Sequence, residues 1–197
     1  MTNRPINLMP TDGAPTLLVA GFPMHRVKGI DPYQDTLIKI KTVKPIIGHV
    51  LDTATGLGYT AMEAAKTAEH VVTVELDPAV LEVARLNPWS RALFEHPKIE
   101  QRVGDSCEEV RGFEDDTFER ILHDPPTLSL AGELYSTDFY KDIFRVLKPG
   151  GRLFHYVGDL RSRSGRRVVS GVMRWLEEVG FTSVRRVAKA FGVVGRK

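Results

Sequence analysis

The 197-residue chain has a single cysteine, Cys107. One thiol cannot cross-link its own chain, nor build a cysteine-based zinc site, so a reducing, cytoplasmic setting is expected. No spacing among the six histidines points to a metal site either. The longest apolar stretches, such as residues 17–22, are far too short to span a membrane. The N-terminus lacks the charged-then-apolar pattern of a secretory signal. The 17 glycines and 12 prolines are dispersed along the chain, which excludes a low-complexity tract. What remains is 42% apolar and 26% charged, the balance of a globular protein. A mass of 22.0 kDa fits one domain with little left over. The net charge of +2 is unevenly spread, because residues 158–197 hold ten Lys/Arg against three Asp/Glu. That basic tail, with Arg161, Arg163, Arg166 and Arg167, faces either solvent or an anionic partner such as RNA.

Short apolar runs alternate with helical patterns. Strands are expected at 46–51, 71–74, 98–103, 118–122 and 152–157, and a closing pair at 182–187 and 190–194. Helices are expected at 59–68, from Asp77-Pro78, around 106–110, at 137–147 with a stop at Pro149-Gly150-Gly151, and at 166–179 before Gly180. This alternation predicts an α/β fold: a Rossmann-like, doubly wound, mostly parallel sheet with an antiparallel C-terminal edge pair. Residues 1–44 read as an N-terminal extension packed over the core of 45–197, with a strand near 17–20 and a helix from Asp31-Pro32 carrying Leu37 and Ile40 on one face.

Ligands of such sheets sit beyond the carboxyl ends of the strands, and the informative residues follow strands here. The first loop, Asp52-Thr53-Ala54-Thr55-Gly56-Leu57-Gly58-Tyr59, places two glycines before a helix, where a ligand can approach the backbone. It satisfies the dinucleotide pattern G-x-G-x-x-A, but Asp52 at the strand end repels a pyrophosphate and favours ammonium or sulfonium charge. Glu75, followed by Leu76, ends the second strand, 17 residues after Gly58, and a carboxylate there can accept from both hydroxyls of a ribose. Gly104-Asp105-Ser106 follows the third strand. Asp105 can accept from an adenine amino group or cap the next helix. After the fourth strand comes His123-Asp124-Pro125-Pro126-Thr127, a corner that two prolines make rigid. Glu133, Tyr135 and Ser136 lie on the loop beyond it, where an acceptor would enter. His123 and His155 end neighbouring strands. His25, Arg26, Lys28 and Asp31 to Tyr33 are further candidates to cap the ligand.

Taken together, VLDTATGLG, VVTVELDP, VGDS, ILHDPP and VLKPGGRLF resemble the class I S-adenosylmethionine-dependent methyltransferases over about residues 45–194. The stretch from His123 to Asp159 is similar to a group of archaeal predicted methyltransferases. The resemblance implies S-adenosyl-L-methionine as cofactor. It implies that Asp52, Gly56 and Gly58, with Thr53, Ala54 and Tyr59, line the amino-acid half, and that Glu75 and Leu76 take the ribose. Gly104, Asp105 and Ser106 would approach the adenine. Asp124 would lie beside the reacting methyl as the catalytic residue, with His123 next to it, and Pro125, Pro126, Thr127, Glu133 and Tyr135 would meet the substrate. Two positions depart from the pattern. Ala54 stands where the family often has glycine. Thr127 stands where base-amine methyltransferases carry a stacking aromatic, so stacking would fall to Tyr135, Phe139 or Tyr156, or the acceptor is not a nucleobase.

Methyl transfer is therefore the leading expectation, to an RNA base or a small molecule. The alternatives are aminopropyl transfer from decarboxylated S-adenosylmethionine, a nicotinamide-dependent oxidoreductase, and a nucleic-acid-binding accessory protein. A homodimer is compatible with the sequence, which does not specify the acceptor.

Overall fold

A computed structural model describes residues 4–159 and 162–197. The chain begins with a small antiparallel sheet of β1 (Ile6–Met9), β2 (Thr16–Val19) and β3 (Phe22–Pro23), followed by α1 (Pro32–Lys41). Asp31 caps α1 by accepting from the Tyr33 and Gln34 N–H groups, with Pro32 in the first turn. The main sheet then alternates with helices: β4 (His49–Asp52), α2 (Tyr59–Ala65), β5 (His70–Glu75), α3 (Pro78–Arg85), α4 (Arg91–Glu95), β6 (Ile99–Val103), α5 (Ser106–Arg111), β7 (Phe118–His123), α6 (Thr137–Val146), β8 (Leu147–Tyr156), α7 (Arg163–Glu178), β9 (Thr182–Val187) and β10 (Gly192–Arg196).

The strand order is β6-β5-β4-β7-β8-β10-β9. The first five strands in that order are parallel, and β10 is antiparallel to both β8 and β9. The predicted α/β architecture with an antiparallel edge pair is therefore present. After β6 the winding crosses to the other side of β4, so the switch point opens between β4 and β7 at their carboxyl ends. The sheet is covered on both faces. One buried cluster joins Val50, Ala61, Val71 and Leu122 to Ala14, Leu17, Ile40 and Val43 of the N-terminal segment. The other joins Leu51, Val74 and Ile121 to Phe139, Ile143, Val172 and Leu176 of α6 and α7. Among the described residues no helix is long and apolar enough to cross a membrane.

Several boundaries differ from the sequence reading, three of them for a visible local reason. The strand expected from residue 46 begins at His49, because Gly48 turns with φ +59° and Ile47 is left 47% exposed. Pro149-Gly150-Gly151 does not follow a helix reaching residue 147. Instead α6 ends at Val146 and β8 already pairs Leu147 with Phe118. The ladder then slips, and pairing resumes at Arg120 and Arg152, so the Pro-Gly-Gly stretch is absorbed as a bulge. The last strand starts at Gly192 because Phe191 adopts a left-handed turn at φ +51°. In α1 the buried positions are Pro32, Asp35, Thr36, Lys39 and Ile40, while Leu37 is only half-buried, so two charged residues occupy a stripe expected to be apolar.

Candidate functional site

A cavity of about 450 Å³ lies at the carboxyl ends of the parallel strands, within the range of small-molecule sites. Of the sequence candidates, Thr53, Ala54, Gly56, Tyr59, Glu75, Leu76, Asp105, Ser106, Asp124, Pro126 and Glu133 line it. His25, the N-terminal candidate, lines it too.

Glu75 is fixed from two sides. The Gly56 N–H donates to Oε2 at 2.9 Å and the Asp77 N–H donates to Oε1 at 3.1 Å. Burial pushes its pKa up, and these backbone donors oppose the shift. Gly56 has φ +52°, and a Cβ built there would meet no atom within 4 Å, so the turn is open towards the cavity. Asp105 caps α5 by accepting from the Cys107 N–H at 2.7 Å while still lining the wall. Ser106 Oγ donates to the Thr53 carbonyl at 2.7 Å and ties this loop to the first. Leu76 is 58% exposed on the lining, an apolar surface without a protein cover.

Asp52 is the main correction. It does not line the cavity. Its Oδ2 accepts from Thr60 Oγ1 at 2.9 Å and Thr73 Oγ1 at 3.0 Å, and it is fully buried. The register explains this: Asp52 pairs with Thr73, two residues short of Glu75, or roughly 7 Å deeper along the strands. Burial pushes its pKa up to about 7, against the pull of the two hydroxyls. Gly58 caps α2 with φ +76°, and a Cβ there would strike Leu93, so this glycine serves packing and not the ligand wall. Gly104 also stays off the lining, its N–H bonded to the Glu75 carbonyl at 2.9 Å.

His123 is a second correction. Its Nδ1 lies 2.6 Å from Thr53 Oγ1 and its Nε2 lies 2.9 Å from the Leu134 carbonyl. Since a carbonyl only accepts, Nε2 carries the proton and Nδ1 accepts from the threonine. Burial pushes the pKa of His123 down to about 4, so the ring is a neutral strut behind the wall. His155, beside it at 4.3 Å between ring centroids, is bonded to Tyr140 OH at 2.9 Å and is equally shut away. In the Pro-Pro corner, Pro125 is buried and off the lining, and Thr127 is exposed with its hydroxyl on Ser129. Tyr135 is buried and donates to the Pro126 carbonyl at 3.1 Å. Neither Tyr135, Phe139 nor Tyr156 lines the cavity, so the stacking expected of them is not offered there.

The sequence reading missed the opposite wall. Arg4, then Ile6, Leu17 and Val19 of the small sheet, and Met24 and Thr36 line the cavity from the N-terminal segment. Behind them Lys39 Nζ reaches Asp124 Oδ2 at 2.7 Å and Asp35 Oδ2 at 2.9 Å. The signal was the acid-base pair four residues apart on the same stripe as Thr36 and Ile40. Burial pushes the Asp124 pKa up, and the Lys39 charge opposes it. Among the described residues no group of three or more His, Cys, Asp or Glu is placed to hold a metal ion. Arg161 of the basic tail lies outside the described residues.

A family model described as a methyltransferase domain matches residues 50–151. An uncharacterized protein of Methanocaldococcus jannaschii is 51% identical over 185 residues, which are 93% of this chain and 64% of that protein. A polyamine aminopropyltransferase of Mycobacterium tuberculosis is 32% identical over 116 residues, 56% of this chain and 22% of that one. The chain thus spans less than two thirds of the length of either relative. Among solved structures, a spermidine synthase in complex with the transition-state analogue AdoDATO superposes with a TM-score of 0.83 at 20% identity, covering 100% of this chain and 71% of that one. The switch-point cavity, the glycine turn and the family match agree, and the chain belongs to the class I methyltransferase-domain family.

Proposed function

We propose that this chain is an S-adenosylmethionine-dependent methyltransferase whose donor lies in the switch-point cavity. The observation that carries the reading is Glu75. A carboxylate offers about four lone-pair sites, and two are filled by the Gly56 and Asp77 N–H groups. Acceptor capacity is left on this carboxylate at the cavity wall, where a vicinal ribose diol can donate to it. The open turn at Gly56 supports it, because no side chain keeps a ligand off the backbone there. The acids Glu75, Asp105, Asp124 and Glu133 on the lining suit a cationic ligand. When bound, the cofactor supplies a methyl already activated by its sulfonium charge. Asp124 then holds the acceptor in line and takes its hydrogen bond.

Aminopropyl transfer is the second reading, and one observation favours it. Arg4 is the lone Lys or Arg side chain among the described lining residues, so the α-carboxylate of S-adenosylmethionine finds little positive charge. Decarboxylated S-adenosylmethionine makes no such demand, and the Mycobacterium tuberculosis relative is an aminopropyltransferase by name. Calorimetric titration with both donors separates the readings. Tighter binding of the carboxylated donor, lost on Glu75→Ala, supports methyl transfer. Tighter binding of the decarboxylated donor replaces it with aminopropyl transfer. Binding of neither removes both.

A further inference from the structure

Four charges, with Asp35 and Lys39 buried and Arg26 and Asp124 half-buried, run from the C-terminal turn to the cavity wall. Arg26 stacks on the Phe191 ring at 3.7 Å and donates to the Lys189 carbonyl at 2.9 Å and to Asp35 Oδ1 at 2.6 Å. Asp35 holds Lys39, and Lys39 holds Asp124. The Lys39 side chain is 3% exposed, against 18% for Asp124, and its ammonium sits 4.5 Å over the Tyr156 ring. A buried ion pair is a weak source of stability, because desolvation offsets the attraction. Such a chain ending on a cavity-lining carboxylate points to a task at that carboxylate.

We infer that Lys39 is a positioning residue: by gripping Oδ2 of Asp124 it keeps that carboxylate an anion in one orientation, with Oδ1 turned to the ligand. The inference rests on the sulfonium reading of the cavity for its consequence in binding, but not for the coupling itself. Lys39 faces Asp35, Asp124, Tyr156 and His25. Asp124 faces Lys39, Asp35, Asp52, Tyr135 and Tyr156. Asp35 opposes the negative charge of Asp124, and Lys39 is the cation bonded to it.

The test is the ¹³C titration of the Asp124 carboxyl in aspartate-labelled protein, assigned with Asp124→Asn. Lys39→Met raises its midpoint by about one to three pH units, the usual influence of an adjacent opposite charge. Lys39→Arg restores the wild-type midpoint. Asp35→Asn moves it the other way, since Lys39 then serves one anion and a nearby negative charge is gone. An unchanged midpoint in folded Lys39→Met, checked by circular dichroism, overturns the inference. If that variant does not fold, an Asp35→Asn midpoint that fails to fall overturns it instead. A second readout compares affinities for S-adenosylmethionine and neutral S-adenosylhomocysteine from pH 6 to 8. The preference for the sulfonium falls in Lys39→Met, recovers as pH rises, and is retained in Lys39→Arg. A preference that ignores Lys39→Met at every pH contradicts the consequence. If the wild type binds neither nucleoside, the reading of the cavity fails, while the carboxyl titration still decides the role of Lys39.

Discussion

The two walls of the cavity are built by different means. The wall after β4, β5 and β6 uses backbone: N–H groups at Gly56 and Asp77 aim Glu75, and helix caps place Asp105. The facing wall uses side chains delivered from the N-terminal segment, with His25 on the lining and Lys39 behind Asp124. The first wall is set by turns only a few residues long, so it stays in place if one side chain changes. The second depends on tertiary contacts, with Arg26, Asp35 and Lys39 each relying on the next. On the proposed function, the first wall supplies affinity for the nucleoside and the second governs the reacting end.

Breaking the first wall gives the largest expected effect. Gly56→Val places a branched side chain where the turn opens to the cavity, and S-adenosylhomocysteine affinity falls more than about a hundredfold by calorimetry, as expected for a ligand-contacting position with φ above zero. Gly58→Ala, two residues on, sharpens the contrast. Its Cβ meets Leu93 rather than open space, so it lowers stability by about 2 kcal/mol in urea unfolding, with affinity in the surviving folded protein nearly unchanged.

A smaller effect near neutral pH, growing on acidification, comes from behind the walls. His123 is neutral when folded, with its pKa pushed down from 6.5 to about 4. The unfolded chain therefore binds a proton that the folded chain refuses as pH falls from 6.5 towards 4. The stability this group contributes is present above pH 6.5 and is lost across that window. One such proton changes stability by up to about 1.4 kcal/mol per pH unit. His123→Gln flattens the acid limb of a urea-midpoint profile by one proton, leaving the contributions of His25 and His155. A profile as steep as the wild type contradicts the assignment.

The same contrast explains what was legible in the sequence. The α/β alternation, the caps at Asp31 and Asp77, and the placement of Glu75, Asp105 and Asp124 after strands follow from local spacing. Asp52 looked equivalent to Glu75 because both end strands. Only the register, which pairs Asp52 with Thr73, shows that it stops short of the cavity. His123 and Tyr135 sit in the right segments, but their hydrogen bonds run inwards to Thr53, Leu134 and Pro126. Lys39 was the hardest to read. Its partner Asp124 is 85 residues away, and nothing in local periodicity connects them.

The central claim is that an adenosyl nucleoside lies across the strand ends with its sugar on Glu75. A crystal structure grown with S-adenosylhomocysteine tests it most directly. The account predicts both ribose hydroxyls within hydrogen-bond distance of the Glu75 carboxylate and the sulfur on the Asp124 side. A nucleoside bound elsewhere, or with its ribose turned away from Glu75, contradicts it.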